Sequence, residues 1–183
     1  MIQETGAWKG LNVSDHHFFD IRVADEILRY IRSDSILDLG CGSGEYVKHF
    51  IGNNIYSDGY DGNPDTPKLS GYTCSVMDLS VIKKVTGNYD WVLSLEVGEH
   101  IPAKYESNYI ENLDINNKKG IILSWAIPDQ LGYGHVNCKD NEYIKSIFHE
   151  LGYLNNLETE KKLREVSRLP WFKNTIMVFE RFV

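Results

Sequence analysis

Ile36-Leu-Asp38-Leu-Gly40-Cys41-Gly42-Ser-Gly44-Glu45 is the stretch on which the fold turns. Apolar residues and one acid, Asp38, run into a turn that places three glycines in five positions. Glycine has no Cβ and tolerates positive φ, so such a turn lets the backbone come very close to a bound ligand. Between a strand and a helix it makes the nucleoside-binding corner of a doubly wound α/β fold. Other Gly-rich loops fit less well. A dinucleotide fingerprint read from Gly40 would put Glu45 at its third glycine, and the Gly-Lys-Ser/Thr ending of a phosphate-cradling loop is absent.

The string DLGCGSG resembles motif I of the class I S-adenosylmethionine (SAM) methyltransferases. The resemblance implies SAM as the cofactor, held by Asp38, Gly40, Cys41, Gly42 and Gly44. An acid before the first glycine suits a ligand with a positive end, and SAM carries an ammonium and a sulfonium. Cys41 itself reads as a small buried residue.

The totals bound the alternatives. With 183 residues, 42% of them apolar and 12% aromatic, one globular domain over residues 1–183 is expected, with an N-terminal helical cap at about 1–32. No apolar run approaches the ~20 residues that span a bilayer, so no membrane partner is expected. MIQETGAWKG has neither a basic leader nor an apolar core, so no secretion signal is expected. Cys41, Cys74 and Cys138 have no paired spacing and read as reduced thiols of a cytoplasmic protein. Net charge is −7, and the longest basic cluster is the short Glu160–Arg164 stretch. That counts against broad contact with nucleic acid, which needs a basic footprint.

Hydrophobic periodicity gives the order of elements. Helices are expected at Asp15–Ile31, Glu45–Ile51, Tyr105–Leu113, Asn141–Leu151 and Glu158–Arg168. Strands are expected at Ser35–Leu39, Asn54–Tyr60, Gly71–Val76, Tyr89–Leu95, Gly120–Trp125, Tyr153–Leu157 and Thr175–Arg181. This alternation means a mostly parallel sheet with helices on both faces. The resemblance to class I methyltransferases implies the full fold: a doubly wound α/β sheet of seven strands, mostly parallel, with an antiparallel last strand.

In open α/β sheets ligands sit outside the carboxyl ends of the strands. The second strand runs to Asp61, followed by Gly62. An acid there can accept both ribose hydroxyls of an adenosine, and it lies 23 residues after Asp38. Asp58 competes but falls inside the strand. Met77-Asp78-Leu79 resembles the adenine-edge segment of the same family. The resemblance implies that Asp78 accepts the exocyclic amine while Met77 or Leu79 packs on the ring; helix N-capping by Asp78 is the plain alternative.

Leu95-Glu96-Val-Gly-Glu99-His100 looks like the E-V-x-E-H motif of several class I subfamilies. These include ubiquinone-pathway O-methyltransferases and small-RNA 3′-end methyltransferases. The resemblance implies a divalent metal, Mg²⁺ or Mn²⁺, at Glu96, Glu99 and His100. Two carboxylates and an imidazole at a strand-to-helix turn can converge on one cation. In the other reading Glu96 contacts the cofactor and His100 is a cap or a base. The long loop from Ala126 to Lys139 carries Gln130, His135 and Asn137. His135 is a candidate fourth ligand or general base, with a surface histidine as the plain alternative. Trp8, His16, His17 and Phe18 form an aromatic cluster that either lines the pocket or starts a helix. Trp171-Phe172 reads as core.

The expected activity is SAM-dependent transfer of a methyl group to an oxygen, less readily a nitrogen, of a small polar acceptor such as a metabolite or sugar intermediate. Glu96, His100 and His135 are the catalytic candidates. A metal-dependent RNA 2′-O-methyltransferase is one alternative, and a non-catalytic SAM-binding regulatory module is another.

Overall fold

The computed structural model describes residues 2–10 and 17–182. His16 and the start of the expected first helix lie outside the described residues. The elements run α1 (Ile21–Ile31), β1 (Ile36–Leu39), α2 (Glu45–Gly52), β2 (Ser57–Asp61), α3 (Thr66–Leu69), β3 (Ser75–Val76), β4 (Trp91–Leu95), α4 (Glu106–Ile115), β5 (Gly120–Ser124), α5 (Asn141–Glu150), β6 (Tyr153–Asn155), α6 (Leu157–Val166), α7 (Phe172–Thr175) and β7 (Ile176–Arg181). One seven-stranded sheet has the order β3-β2-β1-β4-β5-β7-β6. Strands β1 to β5 pair in parallel, and β7 runs antiparallel to both β5 and β6. The expected sheet is the observed one.

Period-two alternation sorts each central strand between two cores. Leu37, Leu39, Val92, Ile121, Leu123, Met177 and Phe179 face a core that includes Tyr109 and Leu113 of α4 and Ile144 and Phe148 of α5. Ile36, Leu93, Ile122, Ile176 and Val178 face the other, with Val23 and Ile27 of α1, Phe50 of α2 and Leu163 of α6. With helices on both faces, the buried strands read as near-continuous apolar runs.

The differences from the expected elements have local causes. Strand β3 shrinks to two residues because Gly71 and Tyr72 both take positive φ in a turn. β6 stops at Asn155 because Asn156 caps α6, its side chain accepting from the Thr159 N–H. α1 begins only at Ile21, after Asp20, whose Oδ1 accepts from the N–H groups of Arg22 and Val23. The other Asp20 oxygen accepts from Ser167 Oγ at 2.7 Å, Arg168 N at 2.6 Å and Leu169 N at 3.3 Å. One buried carboxylate thus joins the N-terminal segment to the chain that leads into α7. α1 packs on the flank of the sheet against α6 and α2, while residues 2–8 form a separate tight hairpin closed by an Ile2–Trp8 bridge.

Strand order reverses at β1, which pairs with β2 on one side and β4 on the other. In open α/β sheets the ligand crevice opens at such a switch point. No helix among the described residues is long and apolar enough to cross a membrane.

Candidate functional site

A cavity of about 330 Å³ lies over the switch point, at the carboxyl ends of β1, β2 and β4. The glycine loop forms its floor. Gly40 has φ +89°, and a Cβ there would lie 2.3 Å from Val97 Cγ2; Gly42 has φ +54°, and its Cβ would lie 1.7 Å from His17 Nδ1. Asp61 Oδ2 accepts from the Gly42 N–H at 3.0 Å, and Oδ1 accepts from the Asn63 N–H at 2.8 Å. The carboxylate thereby fixes the loop to the end of β2 while lining the cavity. Asp38 also lines it. Burial, with Cys74 and Asp61 nearby, pushes its carboxyl well above the usual range. A cationic group placed beside it would favour the ionised form.

Asp78 and Leu79 reach the cavity, and Asp78 Oδ1 takes the N–H and hydroxyl of Ser80. No helix follows, so Asp78 does not act as an N-cap there. Met77 packs into the core instead of lining the cavity. Gly44 backs onto Cys74, and Gly62 lies under Ala7, where a Cβ would come within 2.5 Å of the alanine methyl. Asp58 points elsewhere and accepts from the Tyr89 hydroxyl at 2.5 Å.

Beyond β4 the chain makes a strained exit, with Glu96 at φ +54°. Left-handed backbone on a non-glycine residue is costly and clusters at functional sites. Glu96 lines the cavity, but its oxygens are occupied: Oε2 accepts from Gln130 Nε2 at 2.6 Å and Oε1 from Thr175 Oγ1 at 3.2 Å. Burial raises its pKa even so, against the lowering effect of Ser124, Gln130 and Thr175.

Glu99, His100 and His135 converge instead. One ligand atom from each lies within 4.8 Å of the others. Glu99 Oε1 stands 4.0 Å from His100 Nε2 and 3.9 Å from His135 Nε2. Its side chain is 0% exposed, and neither oxygen has a hydrogen bond of normal geometry among the described residues. Burial, then the charge of Glu96, pushes its pKa well up. Each imidazole anchors Nδ1 on a backbone carbonyl, His100 on Gly134 at 3.2 Å and His135 on Gln130 at 3.0 Å. That leaves both Nε2 atoms facing the carboxylate, the arrangement by which outer hydrogen bonds orient metal-ligating histidines. Burial and the neighbouring His135 lower the His100 pKa to about 4.

Local backbone explains why a loop histidine arrives here. Val136 and Asn137 both donate their N–H to the Glu99 carbonyl at 2.9 Å. Asn137 also accepts from Trp125 Nε1 at 2.7 Å through its carbonyl, and its side chain donates to Glu106 Oε2 at 2.8 Å. Gly132 leaves room for the imidazole, since a Cβ there would lie 2.0 Å from His135 Nε2. On the opposite wall the 2–8 hairpin presses down closely. A Cβ on Gly6 would meet the His100 carbonyl oxygen at 2.1 Å, and Trp8 packs edge-on with His100, His17 and Tyr133.

No protein-family model matches the sequence, and no curated protein matches it either. Solved structures do. The chain superposes on a magnesium protoporphyrin IX methyltransferase from Synechocystis PCC 6803 with bound SAM at a TM-score of 0.63, with 18% identity over 88% of this chain and 79% of that one. It superposes on a TehB-like SAM-dependent methyltransferase from Corynebacterium glutamicum at 0.64, with 14% identity over 94% and 93%. A SAM-bound amino pentose methyltransferase from Micromonospora echinaspora gives 0.62, with 14% identity over 88% and 89%. The chain has the class I methyltransferase fold.

Within that fold, Asp38, Gly40, Cys41, Asp61, Gly62, Asp78, Leu79 and Glu96 all line one cavity, and His100 and His135 border it. Gly42 and Gly44 shape its floor from behind, and Met77 lies in the core. Trp171 and Phe172, read from sequence as core, do pack there, and both also reach the cavity. The sequence reading missed Thr5, Gly6 and Ala7 as wall residues and Thr175 as a Glu96 partner. Gly6 before an Ala-Trp pair was the one available sign.

Proposed function

We propose that this protein is a SAM-dependent methyltransferase acting on a hydroxyl of a small acceptor, with a divalent metal held by Glu99, His100 and His135. What carries the reading is the buried Glu99 carboxylate, unsatisfied by hydrogen bonds of normal geometry and faced by the Nε2 atoms of His100 and His135, which line the glycine-floored cavity. A buried carboxylate without partners is costly, and a cation offsets that cost. When bound, SAM supplies the electrophilic methyl and the metal supplies Lewis acidity that lowers the pKa of an acceptor hydroxyl. Two imidazoles and one carboxylate suit Mn²⁺ better than Mg²⁺, which prefers an all-oxygen shell.

The chain's own residues do the rest. Asp61 presents its carboxylate to the ribose hydroxyls, Asp38 faces the cationic end, and Asp78 with Leu79 flanks the base. Glu96, immobilised by Gln130 and Thr175, shapes the reaction chamber between cofactor and acceptor. The 2–8 hairpin and Trp8 exclude water from it. His100 is a weak base at a pKa of about 4, which favours a ligand role over unaided proton removal. The absence of Lys and Arg among the described lining residues weighs against an RNA acceptor.

Titrating Mn²⁺ into protein saturated with S-adenosylhomocysteine (SAH) tests the reading. One site per chain is expected, abolished in Glu99→Gln. Unchanged Mn²⁺ binding in that variant would refute the assigned ligand set.

A further inference from the structure

Two of the three cysteines meet beneath the glycine loop, and the proposed methyl transfer uses neither thiol. Cys41 lies in the turn after β1 and lines the cavity, while Cys74 lies in the turn before β3. Both are buried free thiols, and with Val47 they form a small cluster of their own. β2 runs between β1 and β3, and Gly59 of β2 keeps the gap between the two side chains clear. A Cβ on Gly59 would stand 2.8 Å from Cys74 Sγ and 3.0 Å from Cys41 Cβ, so any side chain there would wedge the pair apart. Gly44 clears another side, where a Cβ would lie 2.7 Å from Cys74 Sγ.

The two thiols are chemically unequal. Hydrogen bonding to Cys74, then burial, pushes the Cys41 thiol well up. The same bond pulls Cys74 below the usual thiol value despite its burial, and Ser70 and the Lys48 charge add to that effect. The thiolate is the reactive form, so Cys74 is the attacking sulfur and Cys41 the one that resolves it. Because Cys41 opens to the cavity, a small oxidant has a path to the pair.

We propose that Cys41 and Cys74 form a reversible disulfide under hydrogen peroxide, and that this crosslink weakens cofactor binding. The second half rests on the methyltransferase reading above. The Cys74 thiolate attacks one peroxide oxygen and the O–O bond breaks, leaving a sulfenic acid and hydroxide. The hydroxide takes up the proton that Cys74 had released and becomes water. The Cys41 sulfur then attacks the Cys74 sulfur, the S–O bond breaks, and the hydroxyl leaves with the Cys41 proton as a second water. Two thiols thus lose two electrons to the peroxide, and a dithiol reductant reverses the step. Closing the bond draws the glycine loop toward β3 across Gly59. Gly42, one residue from Cys41, donates its N–H to Asp61 at 3.0 Å, so the movement disturbs the bond that fixes the cavity floor.

Peroxide-treated protein is digested without reduction and mapped by mass spectrometry. SAH affinity is measured by calorimetry before oxidation, after it, and after dithiothreitol. A peptide pair joined through Cys41 and Cys74, lighter by two hydrogens, is expected. SAH affinity is expected to fall about tenfold, as for loss of one charge-assisted hydrogen bond, and to return with dithiothreitol. Cys74→Ser is expected to lose both the link and the peroxide response, and Cys138→Ser to keep both. A peptide map without the link, oxidation confined to Cys138, or an unchanged SAH affinity in the linked protein overturns the proposal. Failure of the reduced protein to bind SAH would instead refute the underlying methyltransferase reading, with the disulfide still decided by the peptide map.

Discussion

Replacing Asp20 with alanine should both destabilise the protein and loosen the candidate site. The side chain is 2% exposed and joins two segments that are remote in sequence. On one side it caps α1 through Arg22 N and Val23 N; on the other it takes Ser167 Oγ, Arg168 N and Leu169 N. Loss of an N-cap costs about 1 kcal/mol. Stranding buried donors costs about 1–3 kcal/mol each. Leu169 N keeps a bond to Ser167 Oγ and Arg168 is exposed, so the low end applies to that side. A total of about 3 kcal/mol follows, which at an m-value near 2 kcal/mol/M lowers the urea midpoint by roughly 1.5 M. Burial alone would raise the Asp20 pKa, but the hydrogen bonds from Ser167, Arg168, Leu169 and Val23 hold it below the usual value. Its stabilisation is therefore complete above the unfolded-state pKa of about 3.9 and is lost as pH falls through the lower folded value. The difference in urea midpoint between wild type and Asp20→Ala, measured at pH 7, 5 and 3, should hold from pH 7 to 5 and narrow at pH 3. A midpoint difference under about 0.4 M at pH 7, or one that is the same at pH 3, would refute the reasoning.

Other perturbations have equally direct readouts. Asp61→Ala removes the acceptor for Gly42 N and the ribose partner together, and SAH affinity should fall about a hundredfold, from the loss of charge-assisted bonds worth about 1.5–3 kcal/mol each. Gly6→Ala drives a methyl into the His100 carbonyl, a backbone atom that cannot swing aside. The hairpin should lift, and tryptic cleavage after Lys9, followed by mass spectrometry, should accelerate several-fold. Mn²⁺ affinity should rise with pH and binding should release protons, because the raised pKa of Glu99 means its proton must leave before it can coordinate. A flat calorimetric pH profile would contradict that.

Much of the fold was legible because its signals are local. The glycine turn, the buried strands Trp91–Leu95 and Gly120–Ser124, and the alternation of apolar segments each announce themselves within ten residues. The placement of two cavity acids was legible for the same reason: Asp38 and Asp61 lie toward the carboxyl ends of strands that the pattern itself marks. The acids and imidazole that follow β4 were harder to divide. Glu96, Glu99 and His100 are neighbours in sequence, and only the three-dimensional exit from β4 shows that Glu96 turns to Gln130 and Thr175 while Glu99 faces His135. That division rests on contacts spanning 34 and 79 residues, which no periodicity encodes. Apart from Trp8, the 2–8 hairpin was not legible as a wall, because its seat is made by glycines elsewhere: Gly62 under Ala7 and Gly134 beside Ile2. Its own composition is that of an ordinary turn.

The central claim is that the glycine-floored cavity at the β1/β4 switch point binds a SAM-type nucleoside. Calorimetric titration of SAH into the purified protein measures this without reference to any acceptor or metal. The account predicts saturable binding of one SAH per chain with a Kd on the order of micromolar. A folded protein that gives no SAH binding would contradict it.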